Sequence, residues 1–122
     1  MPTLEIMKPC NFEIFELQAE LYQTMANAKR LAIVELLSHG ETSVGSIAEA
    51  LDLSISAISQ HLRNMKDKNV VVTRKDGQTV YYRLKTPKII EGCHLVRKIL
   101  LEELESQGRI ARDYDEETVL TH

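Results

Sequence analysis

Long apolar runs and abundant cysteine are both missing from this sequence, and each absence excludes a class of protein. No apolar stretch approaches the roughly 18 residues of a membrane-spanning helix, so we expect no membrane contact. Two cysteines, Cys10 and Cys93, are too few for a disulfide framework, and a reducing compartment keeps such residues mainly as thiols. The N-terminus has no apolar signal core behind a basic start, which predicts a cytoplasmic protein.

The motifs that carry enzyme chemistry are missing as well. The sequence contains no glycine-rich phosphate loop, no nucleophile elbow and no cleft-type pair of carboxylates. Glu102, Glu103 and Glu105 cluster near the end of a predicted helix, where acidic residues are typical of a solvated surface. Enzymatic activity is therefore the least favoured class of function, and we predict that the protein is not an enzyme.

Charge is distributed unevenly along the 122 residues, although the net charge is only −3. The window from Ser54 to Lys85 contains seven basic and two acidic residues and therefore carries +5. The window from Glu102 to His122 contains seven acidic residues and two arginines and therefore carries −5. This asymmetry fits a basic centre that faces DNA and an acidic, solvated end, although two charged surfaces without a partner would also produce it.

Apolar spacing predicts one domain over residues 12–108, with an arm at 1–11 and an aperiodic, charged tail at 109–122 that we expect to be disordered. Five helices are predicted within this domain from their apolar stripes, caps and stop residues. They are Phe12–Met25, Ala28–His39 between an Asn27 cap and a left-handed Gly40, a short helix capped by Thr42 or Ser43, a helix that opens at Ser54, and Pro87–Gln107 between a Thr86 cap and Gly108.

Residues 43–83 have the layout of a winged helix-turn-helix. A short amphipathic helix, a tight turn and a second helix at Ser54 precede two β-branched runs around an Asp76-Gly77 turn. In this layout the second helix enters the DNA major groove and the hairpin contacts the flanking backbone. The predicted fold is therefore mainly α with a small β-hairpin, and the predicted partner is double-stranded DNA.

The apolar stripe of the second helix determines which of its residues are free to face DNA. The predicted buried stripe comprises Ile55, Ile58, Leu62 and Met65. The other residues are short or form hydrogen bonds, as a close approach to a groove requires, although such residues also occur on solvated faces without a function. The predicted DNA contacts are Ser56, Ala57, Ser59, Gln60, His61 and Arg63 in the helix and Arg74, Lys75, Gln78 and Thr79 at the hairpin tip.

The last predicted helix is more apolar than a small domain can cover. Its stripe comprises Ile89, Cys93, Val96, Leu100 and Leu104. Together with the Phe12–Met25 helix it predicts a two-fold homodimer interface. A dimer presents two recognition helices, so we predict an imperfectly palindromic operator.

Four segments, in order, resemble the arsenic-repressor (ArsR/SmtB-type) family of winged helix-turn-helix repressors. They are MANAKRLAIVELL, SVGSIAEAL, SISAISQHL and RKDGQTVYYRL, and the match runs from Met25 to Leu84 and more loosely over the flanking helices. The resemblance implies a homodimer that represses its own operon and leaves the DNA when an inducer binds. Many members of this family sense metal or metalloid ions, others sense oxidants or reactive sulfur, and some have no known ligand.

The chain departs from the family pattern at the sensor positions. VGSIAEAL contains no cysteine where many metal-sensing members carry a pair, and the last helix does not reproduce the zinc-site spacing of the family. Glu35 stands in the region where redox-sensing members place their first cysteine, and Ile55 stands where members often have a glutamine.

Cys10, Cys93 and His94 remain as candidate sensor residues. The helices near both cysteines should meet at the dimer interface, where Arg97 would stabilise a thiolate. Two thiolates and a third donor suit a soft ion such as As(III), Cd(II) or Zn(II), and the same pair suits a disulfide or polysulfide bridge. Cys93 also lies on the predicted buried stripe, where a free cysteine is often only a small hydrophobe. A regulator without an inducer therefore stays open, as does a winged helix that binds proteins.

Overall fold

The computed structural model describes residues 12–110, so the predicted arm with Cys10 and nearly all of the predicted tail lie outside the described residues. Five helices and three short strands follow one another in this part of the chain. They are α1 (Phe12–Met25), α2 (Ala28–Leu37), β1 (Thr42–Ser43), α3 (Val44–Leu51), α4 (Ile55–Asp67), β2 (Val71–Asp76), β3 (Thr79–Leu84) and α5 (Ile89–Ser106).

Side-chain caps determine where three of the helices begin, as the sequence predicts. Asn27 caps α2, Ser43 caps α3 and Ser54 caps α4, and each side-chain oxygen accepts a hydrogen bond from a backbone N–H in the first turn. Asp52 ends α3 with a left-handed φ of 54°, which turns the chain directly into α4. The helix-turn-helix geometry is therefore built from local signals at both ends of the turn.

Two helix boundaries differ from the prediction. The second helix ends at Leu37, two residues early, and Gly40 has a φ of 140°, well away from the left-handed helical value. The last helix begins at Ile89 without a side-chain cap, because Thr86 and Pro87 form a turn whose carbonyls accept the first N–H groups of the helix. Gly108 has a φ of 71° and ends α5 as predicted.

The three strands form an antiparallel sheet in the order β1-β3-β2. Asp76 pairs with Thr79, so Gly77 and Gln78 are the two central residues of the hairpin turn, one position later than the predicted dipeptide. Gly77 has a φ of 64°, as a glycine-first hairpin turn requires. The two-residue strand β1 pairs with the other edge of β3 and was not predicted, because two residues are too few for an alternating pattern.

The core lies where α2, α3, α4 and the sheet meet. Its eight largest fully buried side chains are Ile33, Val34, Ile47, Ile58, Leu62, Met65, Val71 and Leu84. The α4 stripe is confirmed at Ile58, Leu62 and Met65, but the prediction for Ile55 is wrong, because that side chain is 60% exposed in the first turn of the helix. In the described part of the chain, none of the helices is long and apolar enough to cross a membrane.

Candidate nucleic-acid interface

The predicted DNA-reading residues of α4, which we call the recognition helix, divide into an exposed and a half-buried group. Ser56, Gln60 and Arg63 are exposed and lie opposite the buried stripe. Ala57, Ser59 and His61 are half-buried and flank this face. The helix therefore presents a polar ridge to solvent while its apolar side fixes it to the core, as insertion into a groove requires.

His61 lies near a basic pair, Lys29 and Arg30, that the sequence interpretation missed. Burial lowers the pKa of His61, and the positive charges of Arg30 and Lys29 lower it further. A neutral imidazole is suited to hydrogen bonding rather than to ionic attraction of a phosphate. Lys29 and Arg30 lie in the first turn of α2, after Ala28, and this basic dipeptide is the sequence signal that could have identified them.

Arg30 also connects α2 to the recognition helix. Its Nη1 donates a hydrogen bond to Oδ1 of Asn64 over 2.5 Å. Because Asn64 follows Arg63 in α4, this bond ties the C-terminal half of the recognition helix to the body of the domain. The start of α2 therefore lies beside the C-terminal half of α4.

Arg74 lies on the hairpin, which we call the wing, and forms an ion pair with Glu41, the residue before β1. Its Nε lies 3.1 Å from both carboxylate oxygens of Glu41, and its Nη2 donates to one of them over 2.7 Å. The guanidinium also lies over the Tyr81 ring, 4.7 Å from the centroid. Hydrogen bonding to Arg74 lowers the pKa of Glu41. Arg74 is thus already paired in the free protein, whereas Lys75 at the wing tip is exposed.

Two further residues of the wing, Gln78 and Thr79, are also predicted DNA contacts. Gln78 and Thr79 are exposed beside Lys75 at the tip, and their contact with DNA stays a prediction. Tyr82 packs against the core, while Tyr81 lies beneath Arg74, so the two neighbouring tyrosines serve opposite faces of the strand. Glu41 was missed as part of this site because it lies 33 residues from Arg74 in the sequence.

Cys93, the described candidate sensor residue, packs against the edge of the core at the start of α5. Burial raises the pKa of its thiol, and the nearby Arg97 opposes this shift only in part. Among residues 12–110 no group of three His, Cys, Asp or Glu side chains is placed to hold a metal ion. The predicted set of Cys10, Cys93 and His94 includes a residue outside that range and stays a prediction.

Arg97 and His94 bind Glu35 of α2 across the helix pair. His94 Nε2 lies 3.1 Å from one Glu35 carboxylate oxygen, and Arg97 Nη1 donates to the same oxygen. Burial alone would raise the pKa of Glu35, but the hydrogen bonds from Arg97 and His94, and their charge, lower it below its ordinary value. We call these three residues the Glu35 cluster; it joins α5 to the body of the domain.

A second apolar surface lies on α1 and α5, outside the core. The large exposed apolar side chains of these helices are Phe12, Ile14, Leu17, Tyr22, Leu95, Val96, Ile99 and Leu100. No residue of α5 is fully buried, and the described residues leave Leu95, Val96, Ile99 and Leu100 more than half exposed. An exposed surface of this kind is typical of an interaction site.

Comparison with known proteins agrees with this architecture. Residues 27–73 match the family described as bacterial regulatory protein, arsR family. The nodulation protein NolR of Rhizobium meliloti is 38% identical over 89 residues, which cover 73% of each chain.

Two solved structures have the same fold. The homodimeric winged helix-turn-helix DNA-binding domain of Mb0332 from Mycobacterium bovis has a TM-score of 0.71 and 28% identity, and the alignment covers 81% of this chain and 92% of that one. Reduced HlyU from Vibrio cholerae has a TM-score of 0.62 and 32% identity, with 86% and 97% coverage, and HlyU is named a transcriptional activator. The chain described here therefore belongs to the arsR family of bacterial regulatory proteins and is a DNA-binding transcriptional regulator.

Proposed function

We propose that this protein is a homodimeric repressor that binds a palindromic operator through α4 and the wing. One observation supports the proposal most directly: α4 has a fully buried apolar face and an exposed polar face. Its first turn is capped by Ser54. Repression follows from occupancy, since a dimer on an operator that overlaps a promoter excludes the transcription machinery. The resemblance to arsenic repressors supports this direction of regulation.

The exposed apolar surface of α1 and α5 supports the dimer. Its large side chains are more than half exposed in the isolated chain, so a second copy would remove them from water. A two-fold arrangement would place two recognition helices roughly 34–36 Å apart, in successive major grooves. The neighbour Mb0332, which is described as homodimeric, supports the same assembly.

Light scattering combined with fluorescence anisotropy on labelled duplexes tests this proposal. We expect a dimer, duplex binding that weakens steeply with salt, and a palindromic consensus in duplexes selected from a randomised library. A stable monomer that binds duplex tightly would exclude the dimeric mechanism. Binding that is absent at low salt would favour the protein-binding winged helix instead.

We also propose that the inducer acts at Cys93, together with Cys10. Cys93 directly precedes His94 and lies one turn before Arg97, so a bond or ion at its sulfur would strain the contacts that join α5 to α2. A change in the angle of α5 would alter the separation of the two recognition helices without contact to either. A coupling of about 1.4 kcal/mol is enough to change operator affinity tenfold.

The two classes of inducer would use Cys93 in different ways. Burial raises the pKa of Cys93 and disfavours its thiolate, so in the redox mechanism that we propose Cys10 would be oxidised first and Cys93 would act as the resolving partner. A soft ion such as As(III), Cd(II) or Zn(II) would instead displace the protons of both thiols and recruit His94 as a third donor.

Measurements of operator affinity distinguish an oxidant inducer from a soft-ion inducer. They would compare the wild type with Cys93→Ser and Cys10→Ser. Each protein would be measured in the reduced state, after mild oxidant or polysulfide, and with As(III), Cd(II) or Zn(II). Loss of only the oxidant response in both variants supports the redox switch, and loss of only an ion response supports the metal sensor. Identical responses in all three proteins would show that Cys93 is only a core residue.

A regulator without an inducer is the second candidate function. The packing of Cys93 against the core and the engagement of Arg97 by Glu35 favour it, because neither feature activates the thiol. Operator binding by the wild type that no oxidant, polysulfide or ion alters would support this candidate.

A further inference from the structure

Ile55 is an exposed branched aliphatic side chain at the first residue of the recognition helix. It is 60% exposed, whereas Ile58, Leu62 and Met65 on the same helix are fully buried. Its immediate neighbours, Ser54 and Ser56, are exposed and polar. Ile55 is therefore an exposed apolar side chain between two exposed polar residues.

The position of Ile55 separates it from the apolar surface of α1. The far end of the recognition helix meets that helix, where Lys68 Nζ lies 3.4 Å from a carboxylate oxygen of Glu20. Ile55 lies thirteen residues before Lys68, which corresponds to about 20 Å along a helix. Ile55 therefore lies at the N-terminal end of α4, and the N-terminal residues of a recognition helix are the ones that contact base edges.

An isoleucine at a base edge can recognise only one chemical feature. Its side chain neither donates nor accepts hydrogen bonds, and the major groove offers a single apolar group, the 5-methyl group of thymine. We propose that Ile55 contacts this methyl group and thereby selects an A·T pair at one fixed position in each half-site. This inference rests on the proposed DNA-binding function and assigns a base preference within it.

Uracil substitution isolates this contact, since deoxyuridine pairs like thymidine but lacks the methyl group. A duplex would first be selected from a randomised library with the wild type. Each symmetry-related pair of thymines would then be replaced by deoxyuridine, and dissociation constants would be measured for the wild type and Ile55→Ala. We expect one pair at which the wild type loses about fourfold in affinity per half-site, as burial of one methyl group implies.

Ile55→Ala should bind the thymine and uracil duplexes equally at that pair. Leu31→Ala is the matched control, because Leu31 is an exposed aliphatic residue on α2, and it should keep the full preference for thymine. Selection with Ile55→Gln should give adenine instead of thymine at the same position, since glutamine pairs with the adenine edge.

Two results would overturn the inference in distinguishable ways. If the wild type selects a palindrome but Ile55→Ala keeps every uracil effect of the wild type, Ile55 does not read thymine and the proposed repressor function stands. If the wild type shows no salt-dependent duplex binding at all, the proposed function fails, and the base preference fails with it.

Discussion

The recognition helix α4 and the last helix α5 carry apolar stripes of similar spacing but have different environments. Three α4 side chains, Ile58, Leu62 and Met65, are fully buried, whereas α5 has no fully buried residue over its 18 residues. Ile89, Ile90 and Cys93 pack against the edge of the core at the start of α5, whereas Leu95, Val96, Ile99 and Leu100 are exposed. Spacing therefore predicts which face is apolar, but not which molecule covers it.

The two apolar stripes are therefore expected to affect two different equilibria, folding and dimer association. The stripe of α4 contributes to the free energy of folding, because its partners belong to the same chain. In the proposed dimer the exposed part of the α5 stripe would contribute to association, because its partners would lie on a second copy. Substitutions can separate these two equilibria.

The largest effect is expected for Leu100→Glu. Leu100 is 58% exposed, so a charge is tolerated by the isolated chain but opposes burial against a second copy. Loss of the dimer removes the second DNA-binding head and should weaken operator binding at least about 100-fold. Sedimentation and anisotropy would measure both changes, with Lys98→Glu on the same helix as the control for added charge. A dimer that is unchanged by Leu100→Glu would contradict the assignment of α5.

The next largest effect is expected when leucine is replaced by alanine in α4 and in α5. Leu62→Ala leaves a cavity in the core and should lower the free energy of unfolding by about 2–5 kcal/mol. Leu100→Ala should leave the unfolding of the dilute monomer nearly unchanged and should raise the dissociation constant of the dimer. Urea denaturation and sedimentation measure the two quantities. Equal losses of monomer stability for both variants would mean that the two stripes are equally buried within the monomer.

The Glu35 cluster should contribute a smaller, pH-dependent stability. Glu35→Gln should lower the free energy of unfolding by about 2 kcal/mol at neutral pH, because Arg97 and His94 lose a charged acceptor. The pKa of Glu35 is lower in the folded state, so this contribution is complete above the ordinary carboxylate range and is lost as the pH falls through the folded value.

Urea denaturation of Glu35→Gln and the wild type across this pH range tests the prediction. The difference in stability should be largest near neutrality and should shrink well below pH 4.5, the ordinary value for glutamate. Glu41→Gln is the control, because its carboxylate is at the surface and should contribute little. A difference that is independent of pH would contradict a charged Glu35.

The smallest effect concerns two neighbouring cations of the wing. Lys75→Ala should reduce the slope of log affinity against log salt by about 0.9 for each phosphate that the variant no longer neutralises. Arg74→Ala should reduce this slope less, because Glu41 already neutralises the guanidinium in the free protein. Titrations at several salt concentrations measure both slopes. A larger reduction for Arg74→Ala would mean that DNA displaces Glu41 completely.

The sequence was sufficient for most of the fold because the deciding signals are local. Three helix caps, the exit at Gly108 and a glycine-containing hairpin each act within a few residues and are confirmed. The errors lie where local signals compete, as at the start of α5, where the Thr86-Pro87 turn delays the helix by two residues. The DNA-binding residues remain predictions, since their exposure on α4 and the wing is compatible with contact but does not measure it.

By itself, the sequence determined the winged helix-turn-helix, its family and the polar face of α4, because caps, turns and apolar spacing act over short distances. Only the tertiary structure decided that Ile55 is exposed, that Glu41 clamps Arg74 and that Glu35 holds Arg97 across two helices. The last two contacts join residues 33 and 62 positions apart. Periodicity describes a single element and contains no information about which distant charge lies opposite, so such pairings depend on how the elements pack.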